Sequence, residues 1–167
     1  MTEDELTKLA RHVLKVCRAR NMKLATAESC TGGLVAAALT EIAGSSDVFD
    51  RGFVTYSNAA KEKMLGVPTD VLEQFGAVSR ETAAAMAQGA LAQSQATVTV
   101  AVTGIAGPGG GSVAKPVGLV HFAGATRDGR TVHREKRYGK IGRHRVRVRS
   151  VGEALAVLQS LAEGSRE

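Results

Sequence analysis

Residues 96–103 read ATVTVAVT, and the chain continues directly into residues 104–116, GIAGPGGGSVAKP. A β-branched run between polar and glycine residues is typical of a central strand in a sheet. The glycine-rich stretch predicts a loop at the carboxyl end of that strand. In open α/β sheets, ligands bind outside the carboxyl ends of the strands. This junction therefore indicates both a class of fold and the place of a binding site.

The remaining chain alternates between strand patterns and helix patterns. Further strands are predicted over residues 23–27, 52–57, 117–125 and 131–138, the last two joined by a turn at Asp128-Gly129. Helices are predicted for the N-terminal segment capped by Thr2 and Glu5, for 31–43, 58–65, the residues after Pro68, 79–94 and the C-terminal segment. The segment 143–150, RHRVRVRS, alternates like a strand, but its neighbours favour the start of the last helix. This order predicts one α/β domain over 1–167, in three layers, with a mixed, mostly parallel sheet and helices on both faces.

The composition excludes several classes of protein. With 44% hydrophobic and 23% charged residues, the chain lacks the signature of disorder. Its two cysteines give no disulfide framework and no metal-ligand spacing, and Cys17 has the helical spacing of a core residue. The first residues, MTEDELTKLA, are acidic and amphipathic, unlike a signal peptide, and no apolar run approaches the ~20 residues of a membrane helix. We therefore expect a cytoplasmic protein.

Three polar segments follow or overlap the ends of predicted strands. They are AESCTGG at 27–33, the segment 56–61, and TGIAGPGGG at 103–111. If these strands run parallel, all three segments meet at one edge of the sheet. The residues alone therefore predict a cleft at that edge.

Ser29, Cys30 and Thr31 lie between a predicted strand and a helix start. Backbone N–H groups of Thr31, Gly32 and Gly33 would be unpaired at such a start and could stabilise an oxyanion or a phosphate. The alternative is that Ser29 or Thr31 only caps the helix. Cys30 is the rival nucleophile, but no histidine is near it in sequence, which favours a role as a small buried residue.

Lys61 lies in a helical segment shortly after Tyr56. The default for a lysine is a solvated surface position. A catalytic lysine must be neutral at the working pH, which requires burial or a neighbouring cation. Tyr56 could donate a hydrogen bond at the strand end or merely pack there.

Several catalytic signatures are absent from the sequence. The glycine loop lacks the G-x-G-x-x-G spacing and precedes a strand, and neither a Walker loop nor a G-x-S-x-G elbow occurs. Ser112 to Lys115 matches S-x-x-K, but it lies in the glycine-rich loop and not on a helix, so we interpret it as a chance match without a catalytic role. The four histidines show no H-x-x-x-H pairing and no metal cluster. A Ser–Lys pair is the hydrolytic arrangement that remains.

Four motifs occur together and in order: TAESCTGG at 26–33, DRGFVTYSNAAK at 50–61, TGIAGPGGG at 103–111 and KPVGLV at 115–120. With these motifs the chain resembles the CinA C-terminal domain family over nearly its whole length. The resemblance is strongest to the stand-alone members, which deamidate nicotinamide mononucleotide. It implies an amidohydrolase of pyridine nucleotide salvage that turns the ring carboxamide into a carboxylate and releases ammonia. No metal and no cofactor are implied.

The resemblance also implies roles for individual residues. Ser29 would be the nucleophile and Lys61 its general base, with Tyr56 in support. Ser46, Thr103 and Arg143 would support or bind the substrate. From their places in the turn after Ser29 and in the glycine loop, we also expect Thr31, Gly32 and Gly104 to bind it. Arg143 matches the arginine of a Gly-Asp-Arg motif that reads Ile-Gly-Arg here. The substrate's phosphate would suit the glycine loop and the basic segment 134–149, with Arg143 or Arg147 as the contact.

Two other readings fit parts of the sequence. The chain could be a catalytically silent nucleotide-binding regulatory module linked to competence or DNA damage, although Ser29 and Lys61 are both present. The net charge of +6 also suggests nucleic-acid binding, but Phe and Tyr total only six residues, too few for stacking platforms. We therefore expect a small-molecule partner and neither a nucleic-acid nor a membrane partner. A homo-oligomer is compatible with the sequence.

Overall fold

The computed structural model describes residues 1–164, so the last three residues of the predicted domain lie outside the described residues. The helices are α1 (Glu3–Ala19), α2 (Leu34–Thr40), α3 (Asn58–Leu65), α4 (Thr69–Phe75), α5 (Arg80–Ala92) and α6 (Arg143–Ala162). The strands are β1 (Leu24–Glu28), β2 (Phe49–Val54), β3 (Val98–Gly104), β4 (Leu119–Thr126) and β5 (Thr131–Arg137). A short 3₁₀ helix, Ser45–Asp47, precedes β2.

The strands form one mixed sheet in the order β2-β1-β3-β4-β5. Both β2 and β3 pair with β1 in parallel, so the carboxyl ends of these three strands lie at the same edge. The pairs β3–β4 and β4–β5 are antiparallel, as expected for strands joined without a helix. The predicted three-layer α/β fold is confirmed.

Helices cover both faces of the sheet. One layer consists of α1, α2 and α6, and the other of α3, α4 and α5. The side chains of β3 point alternately to the two faces of the sheet. Those of Val98, Val100 and Val102 pack in the core beneath α6, whereas that of Ala101 packs in the core beneath α5. With few aromatic residues available, both cores are built mainly from Ala, Val and Leu.

Two predicted boundaries are shifted in the structure. Helix α2 begins at Leu34 and not at residue 31, because Gly32 and Gly33 adopt positive φ angles of 59° and 104°. The strand predicted over 52–57 is Phe49–Val54, since Ser57 already caps α3 by accepting a hydrogen bond from the N–H of Ala60 at 3.0 Å. Both shifts arise where a turn residue takes the chain out of the regular element.

The predictions for the two ends of the chain are confirmed. Thr2 and Glu5 form the capping box of α1, and Cys17 is fully buried in the core. The arginine-rich segment 143–150 begins α6, with Val146 and Ser150 buried one turn apart. Among residues 1–164, no helix is both long enough and apolar enough to cross a membrane.

Candidate active site

A cleft of about 270 Å³ lies at the carboxyl ends of the parallel strands. The residues from all three predicted polar segments meet there. Six of the predicted site residues line it: Ser29, Tyr56, Lys61, Thr103, Gly104 and Arg143. The convergence predicted from the strand ends is therefore confirmed.

Ser29 extends β1 by one residue. Its N–H donates to the carbonyl of Val102 on β3 at 2.9 Å, which continues the parallel ladder. Because side chains alternate along a strand, Ser29 shares a face with Ala27, which packs in the core beneath α5. That face is the one covered by the α3–α5 layer, which carries Lys61.

Lys61 is buried, with 1% of its surface exposed. Its Nζ lies 3.1 Å from the Oγ of Ser29, so the predicted hydrogen-bond distance between these two residues is confirmed. The Nζ also donates to the carbonyls of Thr55 at 2.9 Å and Tyr56 at 3.4 Å. A neutral amine that donates to both carbonyls has its lone pair left to accept the hydroxyl proton of Ser29.

Burial lowers the pKa of Lys61 below its usual value of 10.5, because the desolvated ammonium is disfavoured. The surface lysine expected by default for this residue type is thus wrong for Lys61. A lysine with this environment can be neutral at a lower pH than a solvated one, which is the property a general base needs.

Cys30 also lines the cleft, and its side chain is buried. Burial raises the pKa of its thiol to about 12, so the thiolate that a nucleophile requires is not populated near neutral pH. The structure thus supports the interpretation of Cys30 as a small buried residue.

The turn after Ser29 differs in part from the prediction. The N–H of Gly32 is not free, because it donates to the carbonyl of Ser29 at 3.0 Å. Thr31 is fully buried and lies behind the cleft lining, with its hydroxyl unpartnered among residues 1–164. Direct substrate contacts by Thr31 and Gly32, as expected from their place at a predicted helix start, are therefore not supported by this geometry.

Glu28 is a functional candidate that the sequence analysis missed. Its carboxylate is buried, with 1% exposed, and accepts hydrogen bonds from the N–H groups of Val35 at 2.8 Å and Ala36 at 3.1 Å. It therefore caps α2, whose N-cap residue Gly33 offers no side chain. The signal was a carboxylate at the end of an apolar strand, directly before a helix without its own capping side chain.

Arg143 and Tyr56 lie at the mouth of the cleft. Nη2 of Arg143 donates to the Tyr56 hydroxyl at 2.9 Å, and Nη1 donates to the carbonyl of Gly107 at 2.8 Å. The arginine thus links the end of the β2 segment to the glycine loop. Because it is exposed, its guanidinium is open to an anionic ligand.

Arg147, the other arginine considered for the phosphate, is bonded elsewhere. Its Nε donates to the carbonyl of Cys30 at 3.1 Å and its Nη2 to the carbonyl of Thr31 at 3.2 Å. It contacts the turn after Ser29 and does not line the cleft.

Thr103 and Gly104 form the floor of the cleft at the end of β3. The hydroxyl of Thr103 donates to the carbonyl of Ala77 at 2.7 Å and so joins β3 to the segment before α5. At Gly104, an added Cβ would lie 2.7 Å from Val120 Cγ2 and 2.9 Å from the carbonyl oxygen of Leu119. This position therefore requires glycine because β3 packs closely against β4 there.

Ser46 lies outside the site. It is exposed in the 3₁₀ helix before β2, at the amino end of a strand whose carboxyl end faces the cleft. The expectation that Ser46 binds substrate is not supported within one chain.

Ser112 and Lys115 match the S-x-x-K pattern without forming a catalytic pair, as the sequence analysis expects. Lys115 Nζ donates to the carbonyl of Phe75. Within residues 1–164, no group of His, Cys, Asp or Glu side chains is arranged to hold a metal ion.

These features define an α/β domain with a buried Ser–Lys pair at the carboxyl ends of its parallel strands. The family model of the CinA C-terminal domain matches residues 6–162. The chain therefore belongs to the CinA C-terminal domain family.

Several known proteins are similar to this chain. It is 52% identical over 136 residues to the nicotinamide-nucleotide amidohydrolase PncC of Escherichia coli strain K12, covering 81% of this chain and 82% of that protein. It is 56% identical over 152 residues to a CinA-like protein of Synechococcus sp. RCC307, but spans only 36% of that protein's length. The crystal structure of competence/damage inducible protein CihA from Agrobacterium tumefaciens has a TM-score of 0.93 at 58% identity, covering 94% of this chain and 95% of that one.

Proposed function

We propose that this chain is an amidohydrolase that converts nicotinamide mononucleotide to nicotinate mononucleotide and ammonia. The observation that carries the proposal is the 3.1 Å contact between the buried Lys61 Nζ and the Ser29 Oγ inside the cleft. The likeness to PncC proteins, which are named nicotinamide-nucleotide amidohydrolases, supports the choice of substrate. Such a reaction belongs to pyridine nucleotide salvage.

The first half of the reaction forms an ester on Ser29. Neutral Lys61 takes the hydroxyl proton while Oγ attacks the carboxamide carbon, and the carbonyl oxygen becomes an oxyanion. When the C–N bond breaks, the Lys61 ammonium returns the proton to nitrogen and ammonia leaves. The carbonyls of Thr55 and Tyr56 hold Nζ in place during both transfers.

The second half hydrolyses that ester. Lys61, neutral again, takes a proton from water as the water oxygen attacks the acyl carbon. The bond to Ser29 Oγ then breaks, the proton returns to Oγ, and nicotinate mononucleotide leaves. These steps balance with water as the only co-reactant and need no metal ion or cofactor.

The substrate's phosphate is assigned to the mouth of the cleft. Arg143 offers an exposed guanidinium there, and the glycine loop at 107–110 brings backbone close to it. Tyr56 supports this contact, because its hydroxyl accepts from the same guanidinium.

The proposal is tested with the purified chain and nicotinamide mononucleotide, by measuring ammonia together with nicotinate mononucleotide. We expect the wild type to release ammonia and nicotinate mononucleotide in equal amounts. The control Lys63→Met, whose lysine is exposed on the same helix as Lys61, should do the same. Tight binding of the mononucleotide by the wild type without ammonia release would instead identify a catalytically silent binding module.

A further inference from the structure

The turn that follows Ser29 is held by a side chain from a distant part of the chain. Arg147 Nε and Nη2 donate to the carbonyls of Cys30 and Thr31, which are 117 and 116 positions away in sequence. The carbonyl of Ser29 accepts the N–H of Gly32 at 3.0 Å. Three consecutive carbonyls, starting at the nucleophile, therefore each have a donor.

Fixed carbonyls also fix the N–H groups of the same peptide units. In a planar trans peptide the C=O and N–H bonds point in opposite directions. The Gly32 contact therefore turns the N–H of Cys30 away from that side, and Cys30 lines the cleft. Backbone N–H groups after a nucleophile are the donors that stabilise an oxyanion in acyl transfer.

The contacts of Arg147 distinguish it from its neighbours on α6. Arg145 and Arg149 are exposed, whereas Arg147 is half-buried against the turn. An added Cβ at Gly32, where φ is 59°, would lie 3.3 Å from Arg147 Nη2, so turn and guanidinium are closely packed. The guanidinium's fork of donors suits two adjacent carbonyls, which a lysine ammonium cannot bind in the same geometry.

We infer that Arg147 is a positioning residue: it holds the turn so that Ser29 Oγ and the backbone N–H of Cys30 keep their places in the cleft. The inference rests on the proposed function. The two arginines of α6 that lie one turn apart thus have different roles: Arg143 acts at the mouth of the cleft, and Arg147 acts on the backbone of the turn that follows the nucleophile.

The test compares kcat and KM for ammonia release from nicotinamide mononucleotide in Arg147→Gln, Arg147→Lys and the control Arg145→Gln. Assays are run below the melting temperature of each variant, determined by circular dichroism. We expect kcat of Arg147→Gln to fall by about 100-fold with KM nearly unchanged, as for a small displacement of catalytic groups. Arg147→Lys, which keeps the charge and is the variant relied on if Arg147→Gln does not fold, is expected to show the same split. Arg145→Gln should match the wild type.

A second readout separates positioning from general loss of structure. Added guanidinium ion should restore part of the kcat of Arg147→Ala but none of that of Ser29→Ala.

Two kinetic results would overturn the inference. A raised KM with unchanged kcat in the Arg147 variants would make Arg147 a substrate ligand. Unchanged kcat and KM in these variants would show that Arg147 has no role in the reaction. A wild type that releases no ammonia would refute the proposed function itself, a result distinct from either of these.

Discussion

The guanidinium of Arg143 lies between the Tyr56 hydroxyl, 2.9 Å from Nη2, and the Gly107 carbonyl, 2.8 Å from Nη1. This contact joins two walls of the cleft across its mouth. It leaves the arginine exposed and held by neutral partners, so that its charge is available to an anion.

Arg143→Ala should therefore raise KM for nicotinamide mononucleotide with a smaller effect on kcat. The physical reason is the loss of a charge-assisted hydrogen bond to the phosphate, which is worth about 1.5–3 kcal/mol, or roughly 10- to 150-fold in KM. Steady-state kinetics against the control Arg145→Ala, whose arginine is exposed on the same helix, measure this. If Arg143→Ala kept the wild-type KM, the phosphate would have to be bound elsewhere.

The pH dependence of the reaction should report the neutral form of Lys61. Since burial lowers its pKa and the base must be unprotonated, kcat/KM should rise with pH and level off with a midpoint below 10.5. The measurement is a pH profile of ammonia release, with parallel checks that the protein stays folded. A midpoint at or above 10.5 would contradict the assignment of a desolvated lysine as the base.

The pair His121 and His133 should make stability fall in acid. Their rings are hydrogen-bonded at 3.0 Å between β4 and β5, and burial lowers the pKa of both below 6.5. The unfolded chain then binds more protons, so the free energy of unfolding falls as pH drops from about 6.5 towards the lowered pKa values. Nearby charged groups contribute in both directions: Glu135, Glu81, Lys115 and Arg80.

This dependence is tested by thermal unfolding between pH 8 and pH 5. In His121→Gln the loss of stability over that range should be smaller than in the wild type, whereas His144→Gln, an exposed histidine, should leave it unchanged. If the wild type and His121→Gln lost the same stability between pH 8 and pH 5, His121 would not be responsible for the pH dependence.

Gly89→Ala should destabilise the fold, although alanine is normally the better helix former. An added Cβ on this residue of α5 would overlap the backbone carbonyl of Leu65 at the end of α3, which cannot move as a side chain can. We expect a loss of about 1–3 kcal/mol, typical of overpacking. The control is Gly152→Ala in α6, where the added methyl group meets the flexible side chain of Met1. A melting temperature of Gly89→Ala equal to or above that of the wild type would contradict the close packing of α3 against α5.

The fold was predictable because its signals are local. The β-branched run that became β3 alternates between two cores, and the glycine loop after it marks the edge at which the cleft forms. The Ser57 cap and the turn glycines moved boundaries by only a few residues. The convergence of three strand ends followed from the parallel pairing of β1 with β2 and β3.

The site was predictable only in part, because burial and distant contacts leave no local trace. From sequence, Lys61 is expected to be a surface residue in a short helical segment. Its 1% exposure results from packing against Ser29 and Thr55, which directly follow β1 and β2. Arg147 contacts Cys30 across 117 positions, so its role differs from the neighbouring arginines in a way that the repeated Arg-x pattern hides. Gly32 looked free at a helix start, yet a turn within the same motif uses its N–H.

The claim that Ser29 and Lys61 act as one unit is tested most directly by a double-variant comparison. Ammonia release from nicotinamide mononucleotide is measured for Ser29→Ala, Lys61→Met and the double variant, with Lys63→Met as the control for a lysine on the same helix. Because both residues serve the same step, each single variant should lose nearly all activity and the double variant should be scarcely worse. Losses that multiply in the double variant, or substantial activity in a folded Ser29→Ala protein, would contradict the account.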